Sequence, residues 1–382
     1  MCANPEIWPI IIAWGKGEQP SQQAQQKLLA WELDGPNRLW HRPSPQTTKK
    51  IATEKIATAL ERRGNLLQRT IENSGQNKDQ NNGTFPLPGP WTDWIVPLWT
   101  FWLPLAQQLD HKQRELSAPF IQGILGGQGT GKTTLTKILQ LILGHLQQLT
   151  ACLSIDDLYL TYEQRLALKQ QDPRLIWRGP PGTHDIQLGL ETLDKIKNAQ
   201  PGARLMLPQF DKSRHNGQGD RSNPLEIPAP NILLFEGWFV GTQPIDNTIF
   251  SNTEVLPNPI ISPTDRQFAA DNNRRLHDYR PLWNRLDSLM VLYPEDYRLS
   301  QRWRLQAEQS MKAQGKSGLS DEEIEAFVTY FWKALHPQLF ITPLTQSEKI
   351  ELVVTIRADH SLGELSTPAI GNYNSDVFND LA

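Results

Sequence analysis

The sequence predicts an α/β fold: a central, mostly parallel sheet flanked by helices, with an N-terminal helical extension. Three observations carry this. Short apolar segments alternate with helix-length amphipathic ones beyond residue 120, the pattern of βα units around a parallel sheet. The strand-like segments are uniformly apolar, as strands covered on both faces are. Between the first of them and the helix that follows lies the glycine-rich run GGQGTGKTT, the context a phosphate-binding loop requires.

Taken in order, SQQAQQKLLAWEL and TTKKIATEKIATALERRGNLLQRTIENS place apolar residues every three or four positions and read as helices. NSGQNKDQNNGTFPLPGP follows, too polar to bury an ordering core. The chain is therefore divided into a helical extension over 1–72, a linker over 73–90, a P-loop domain over 91–365 and a C-terminal tail over 366–382. Within the P-loop domain, strands are predicted over 121–126, 151–155, 231–237, 287–293 and 349–356. Helices are predicted over 132–149, 187–198, 295–314 and 320–335, the last opened by a capping box of Ser320 and Glu323.

Bulk properties exclude several classes. The 382 residues are 21% charged and 38% hydrophobic with a net charge of -3, which offers no general attraction to nucleic acid or anionic membrane. Cys2 and Cys152 are the only cysteines, so no disulfide framework is implied and a cytoplasmic location fits. IWPIIIAW, over 7–14, contains a proline and follows Glu6 rather than a basic segment, unlike a signal peptide. WIVPLWTFWLPLA, over 94–106, falls short of the ~20 residues needed to span a bilayer and reads as a tryptophan-rich packing helix. A soluble protein is expected, with a small-molecule substrate and neither nucleic acid nor membrane as partner; nothing in the sequence sets the oligomeric state.

The motif G-x-x-x-x-G-K-T assigns ATP to Gly126, Gly127, Gln128, Gly129, Thr130, Gly131, Lys132, Thr133 and Thr134. Glycines let the backbone turn its N–H groups toward phosphate, and the helix N-terminus adds the positive end of its dipole. Lys132 reaches the β- and γ-phosphates, and the Thr133 hydroxyl is a Mg²⁺ ligand. No D-x-x-G follows Lys132 and no N-K-x-D is present, so a guanine-nucleotide switch is disfavoured. The strand NILLFEGW ends in the single carboxylate Glu236, not in the acidic pair usual in motor and transport ATPases.

Acceptor chemistry is expected beyond the carboxyl ends of the other strands. ACLSI runs into Asp156-Asp157-Leu158-Tyr159. A carboxylate there can take a proton from an attacking hydroxyl or approach Mg²⁺, and one of the two aspartates is free to be a cap instead. The loops WRGPPGTHD and LPQFDKSRHNGQGDR bring Arg178, His184, Asp185, Asp211, Lys212 and Arg221, a set able to grip a small carboxylate and its hydroxyls. Arg298, Arg302 and Arg304 share one helix, as ordinary surface charges with Glu295 and Glu308 for partners or as part of a closing lid.

Together GGQGTGKTT, LSIDDLYLT, RGPPGTHD, FDKSRHNGQGDR, LFEGW and QRWRLQAEQSMKAQGKSGLSDEE, in that order, resemble the plant and cyanobacterial D-glycerate 3-kinases. These belong to the wider phosphoribulokinase, uridine kinase and pantothenate kinase group. The resemblance runs from about Ile121 to about Thr355. It implies ATP- and Mg²⁺-dependent phosphorylation of the 3-hydroxyl of D-glycerate, a photorespiratory salvage step. It also implies Asp156 as base, with Lys132 and Arg302 in catalysis, and Thr133, Asp156 and Glu236 near the metal. Asp157, Tyr159, Arg178, His184, Asp185, Lys212 and Arg221 are expected around the acceptor. The Pro pair and Thr183 before His184 depart from the plant pattern. Two alternatives stay open: a sister kinase for pantothenate, uridine or another small alcohol, and an ATP-dependent regulatory switch.

Overall fold

The computed structural model describes residues 6–34, 49–76, 90–313 and 319–368. Most of the expected linker over 73–90 and of the expected tail over 366–382 lies outside the described residues. The described residues form two units, one holding those up to Phe120 with Thr133–Ala151, the other holding Ile121–Lys132 and those from Cys152 to 368.

The first unit is helical. It contains α1 (Trp8–Gly15), α2 (Gln22–Asp34), α3 (Lys49–Gln76), α4 (Leu103–Glu115) and nearly all of α5 (Lys132–His145). The tryptophan-rich segment before α4 winds through short 3₁₀, α and π turns. Its Ile95, Leu98, Trp99, Phe101 and Trp102 are buried, so it packs as expected. No described helix is long and apolar enough to cross a membrane. Glu32 and Arg63, fully buried, pair at 2.9 Å, and Glu32 also accepts the Trp99 indole N–H at 2.9 Å.

The second unit is built on a six-stranded sheet. Its strands are β1 (Phe120–Gly126), β2 (Thr150–Ser154), β7 (Ile232–Gly237), β8 (Ser288–Pro294), β9 (Leu352–Ile356) and β10 (Leu362–Ser366), in the order β10-β9-β8-β1-β7-β2. β8 runs parallel to β1, from Gln122 opposite Ser288 to Gly126 opposite Leu292, and parallel to β9; β10 returns antiparallel. Every residue of β1 and β7 is buried, which explains why both are apolar apart from Gln122 and Glu236. Helices α6 (Tyr162–Gln171), α7 (Ile186–Lys197), α8 (Pro263–Arg275), α9 (Leu299–Ala313) and α10 (Asp321–Ala334) also belong to this unit, and α10 carries the expected Ser320–Glu323 capping box.

The sequence gives no strand signal over 204–228, yet two ribbons form there. β3 (Arg204–Leu207) pairs with β6 (Leu225–Pro228), and β4 (Phe210–Asp211) with β5 (Asp220–Arg221). Segments this short carry too few residues for a period-two pattern to stand out.

Candidate active site

β1 ends at Gly126, and the chain turns through Gly127–Gly131 into α5. Within the turn the Thr130 hydroxyl donates to the Gly127 carbonyl at 2.8 Å, and Lys132 Nζ donates to the same oxygen at 3.0 Å. The lysine therefore lies folded back over the loop that would hold phosphate. Gly129 has φ +78°, and a Cβ there would sit 2.6 Å from the Cβ of Trp303; only glycine allows both the left-handed turn and this approach. Trp303 is fixed by an indole N–H bond to the Ala358 carbonyl and by stacking on His360. Burial draws the Lys132 ammonium below its ordinary pKa, opposed by the charges of Glu236 and Asp156. Both strand-end carboxylates thus bear on the phosphate-binding lysine. Thr133 and Thr134 are exposed in the first turn of α5.

The paired aspartates divide cleanly. Ser154 caps the short 3₁₀ turn Ile155–Leu158. Asp157 closes that capping box by accepting the Ser154 amide at 3.1 Å, and its other oxygen accepts the Phe210 amide at 3.2 Å. Its carboxyl titrates above its ordinary range because it is buried. Asp156 bonds side chains instead: Oδ1 accepts the Tyr159 hydroxyl at 2.9 Å and Oδ2 accepts Lys212 Nζ at 2.6 Å. Burial alone would raise the Asp156 carboxyl, but Lys212 and Tyr159 together hold it below the usual carboxylate value. It is the member of the pair whose oxygens face side chains rather than backbone amides.

Around Asp156 the loop residues form two layers. Tyr159 stacks on His184 with centroids 4.6 Å apart, and Lys212 reaches in from the β4–β5 ribbon. Behind them Arg221 donates to the Tyr159 carbonyl at 3.0 Å and to Asp185 at 2.7 Å, while Asp185 caps α7 through the Leu188 amide. Arg178 donates to the carbonyls of Gly217 and Gln218 and lies over the rings of Tyr159 and Phe210. Arg178, Asp185 and Arg221 therefore brace the loops through contacts of their own. On α9, Arg304 pairs with Glu308, and Arg298, just before the helix, pairs with Asp296. Arg302 is exposed and forms no ion pair with a described residue.

No family model matches the chain. It is 34% identical over 234 residues to the chloroplastic D-glycerate 3-kinase of Arabidopsis thaliana, a match covering 58% of this chain and 49% of the plant protein. An uncharacterized kinase of Schizosaccharomyces pombe is 32% identical over 260 residues, covering 64% of this chain and 88% of the yeast one. The chain belongs to the same kinase family as this yeast protein. The solved D-glycerate 3-kinase of Cryptococcus neoformans superposes with a TM-score of 0.59 at 28% identity, over 69% of this chain and 96% of that one. The chain thus spans about half the length of the Arabidopsis relative and nearly all of the Cryptococcus structure.

Within this P-loop kinase, the second unit gathers Lys132, Asp156, Tyr159, His184, Lys212 and Glu236. Sequence reasoning did not single out Ser154, Phe210, Tyr279 or Trp303, which hold those groups in place. The GWFV run after Glu236 was the available hint of an aromatic wall, since Phe239 packs against both His184 and Tyr279. Tyr279 itself carries no sequence signal.

Proposed function

We propose that the chain transfers the γ-phosphoryl group of ATP to the 3-hydroxyl of D-glycerate, giving 3-phospho-D-glycerate. The observation that carries this reading is Asp156, a carboxylate kept ionised by Lys212 and Tyr159 and close enough to Lys132 to influence its titration. The loop amides and Lys132 hold the phosphates. Asp156 accepts the proton of the attacking hydroxyl. Lys212, exposed enough to swing away from Asp156, binds the acid's carboxylate. Asp157, Arg178, Asp185 and Arg221 keep the two loops in shape, and Arg302 closes over the phosphoryl from α9. Because the transition state is loose, positioning and charge neutralisation supply most of the rate.

Mg²⁺ fits the donors present. Within the second unit, Asp156 and Glu236 offer hard oxygens, and a nucleotide-bound Mg²⁺ needs only one or two protein ligands beside phosphate and water. When bound, it would neutralise charge on the β- and γ-phosphate oxygens. Within this reading the product returns carbon in photorespiratory salvage and the compartment is the cytoplasm, supported by a chain with only two cysteines.

The test is ADP release across a panel of D- and L-glycerate, other small hydroxy acids, pantothenate and nucleosides. D-glycerate should be the substrate with the highest kcat/KM. Equal turnover with no acceptor added would overturn the reading in favour of an ATPase switch.

A pH prediction follows from the Asp156 environment. Lys212→Met removes the strongest influence opposing burial, so the carboxyl pKa rises. The acid limb of kcat/KM, which reports the free enzyme's base, should move to higher pH. A limb that stays in place, measured over the range in which the wild type is active, would rule Lys212 out as the group that sets this pKa.

A further inference from the structure

The pocket beside Asp156 holds a buried polar atom that the proposed reaction leaves unused. His184 is 4% exposed and its Nε2 has no hydrogen-bond partner among the described residues. Its other ring nitrogen lies 2.7 Å from the hydroxyl of Tyr279, a fully buried residue in the short turn Leu276–Tyr279. The Tyr279 oxygen accepts the Gly182 amide at 2.9 Å. A phenol has two lone pairs and one proton. With the Gly182 amide on one lone pair, the proton is satisfied by pointing at His184 Nδ1, which is then the accepting nitrogen. The opposite arrangement would leave the phenolic proton buried without an acceptor among the described residues, which is costly. A doubly protonated ring is also disfavoured, because burial drives the His184 pKa down to about 3.

We propose that Tyr279 is a positioning residue that fixes His184 as its neutral Nε2–H tautomer, so that the ring offers one hydrogen-bond donor to an oxygen of the substrate bound beside Asp156. The substrate clause rests on the acceptor-site reading above; the tautomer clause does not. The ring has no room to turn: Tyr159 stacks on one side at 4.6 Å, Phe239 packs at 5.6 Å and Tyr279 meets it edge-on at 5.7 Å. Gly182 delivers its amide from a left-handed turn at φ +94°, where a Cβ would lie 2.8 Å from the Arg275 side chain. Neutrality matters chemically. An imidazolium here would add positive charge near Asp156 and weaken it as a base, whereas a neutral N–H donor recognises a hydroxyl or carboxylate oxygen without that cost.

The test is ¹⁵N-edited NMR of the imidazoles in the full chain, with His184 assigned by its loss in His184→Gln. The ligand-free wild type should show His184 as the Nε2–H tautomer, and adding D-glycerate should shift that N–H. Tyr279→Phe should give a mixture of tautomers and raise the KM for D-glycerate about tenfold, one hydrogen bond's worth, with the KM for ATP unchanged. An Nδ1–H tautomer in the wild type overturns the proposal, whether or not the variant folds. So does a Tyr279→Phe protein in which both tautomer and KM are unaltered. If the tautomer depends on Tyr279 but D-glycerate leaves the spectrum untouched, the positioning role is upheld and the glycerate reading fails.

Discussion

Asp156→Asn is expected to lower kcat by about 10²- to 10⁴-fold, the range a positioned general base contributes, with a far smaller loss of ATP affinity. Asparagine keeps the shape of the side chain and can still accept the Tyr159 hydroxyl, so the loop should hold its conformation. It cannot take a proton, and it offers Lys212 no charge. In the proposed reading ATP affinity is set by the loop amides and Lys132, and no hydrogen bond joins Lys132 to Asp156 among the described residues. Because Asp156 is held below the ordinary carboxylate pKa, it is a modest base, and the effect should not exceed the upper end of that range. Steady-state kinetics with D-glycerate and calorimetric titration with ATP check both halves. Nearly intact turnover would remove Asp156 from the role of base; equal losses in kcat and ATP affinity would make it a nucleotide or metal ligand instead.

How much of this was legible follows from what each feature leaves in a sequence. The buried strands β1 and β7 are apolar but for Gln122 and Glu236, visible because both faces need the same chemistry. The phosphate loop is visible because turn, dipole and ammonium demand fixed residues at fixed spacing. At Asp156-Asp157 the residue types were enough to locate a strand-end carboxylate. Dividing the roles took coordinates, since capping and proton transfer call for the same side chain. The arginines show the other limit. Arg178 and Arg221 have the charge a carboxylate needs, yet their guanidinium groups lie on backbone carbonyls contributed by residues 39 to 62 positions away. Nothing in the local sequence names such a partner. Tyr279 is hidden for the same reason: its hydroxyl acts on residues 95 and 97 positions earlier in the chain.

Glu32→Gln is expected to destabilise the helical unit by about 3–5 kcal/mol, the cost of breaking a buried ion pair by removing one partner. In sequence, Glu32 and Arg63 sit among the polar positions of two amphipathic helices and look like surface charges. In the fold they are 0% and 1% exposed. Arg63 donates to Glu32 Oε1 at 2.9 Å while its guanidinium lies 5.3 Å from the centre of the Trp99 ring. Glutamine preserves an oxygen for the Trp99 indole N–H but takes away the charge that compensates the buried guanidinium. Arg63→Met should be similarly damaging, because it removes the guanidinium 2.9 Å from a buried carboxylate. The double variant should lose much less than the sum of the two, since the pair's desolvation and its attraction are then removed together and methionine fills much of the arginine's volume. Residues in direct contact are where additivity fails, so a thermodynamic cycle from urea unfolding isolates the pair. Losses that simply add, or a Glu32→Gln protein as stable as the wild type, would show that the two charges are solvated separately and that the pairing contributes nothing to the unit's stability.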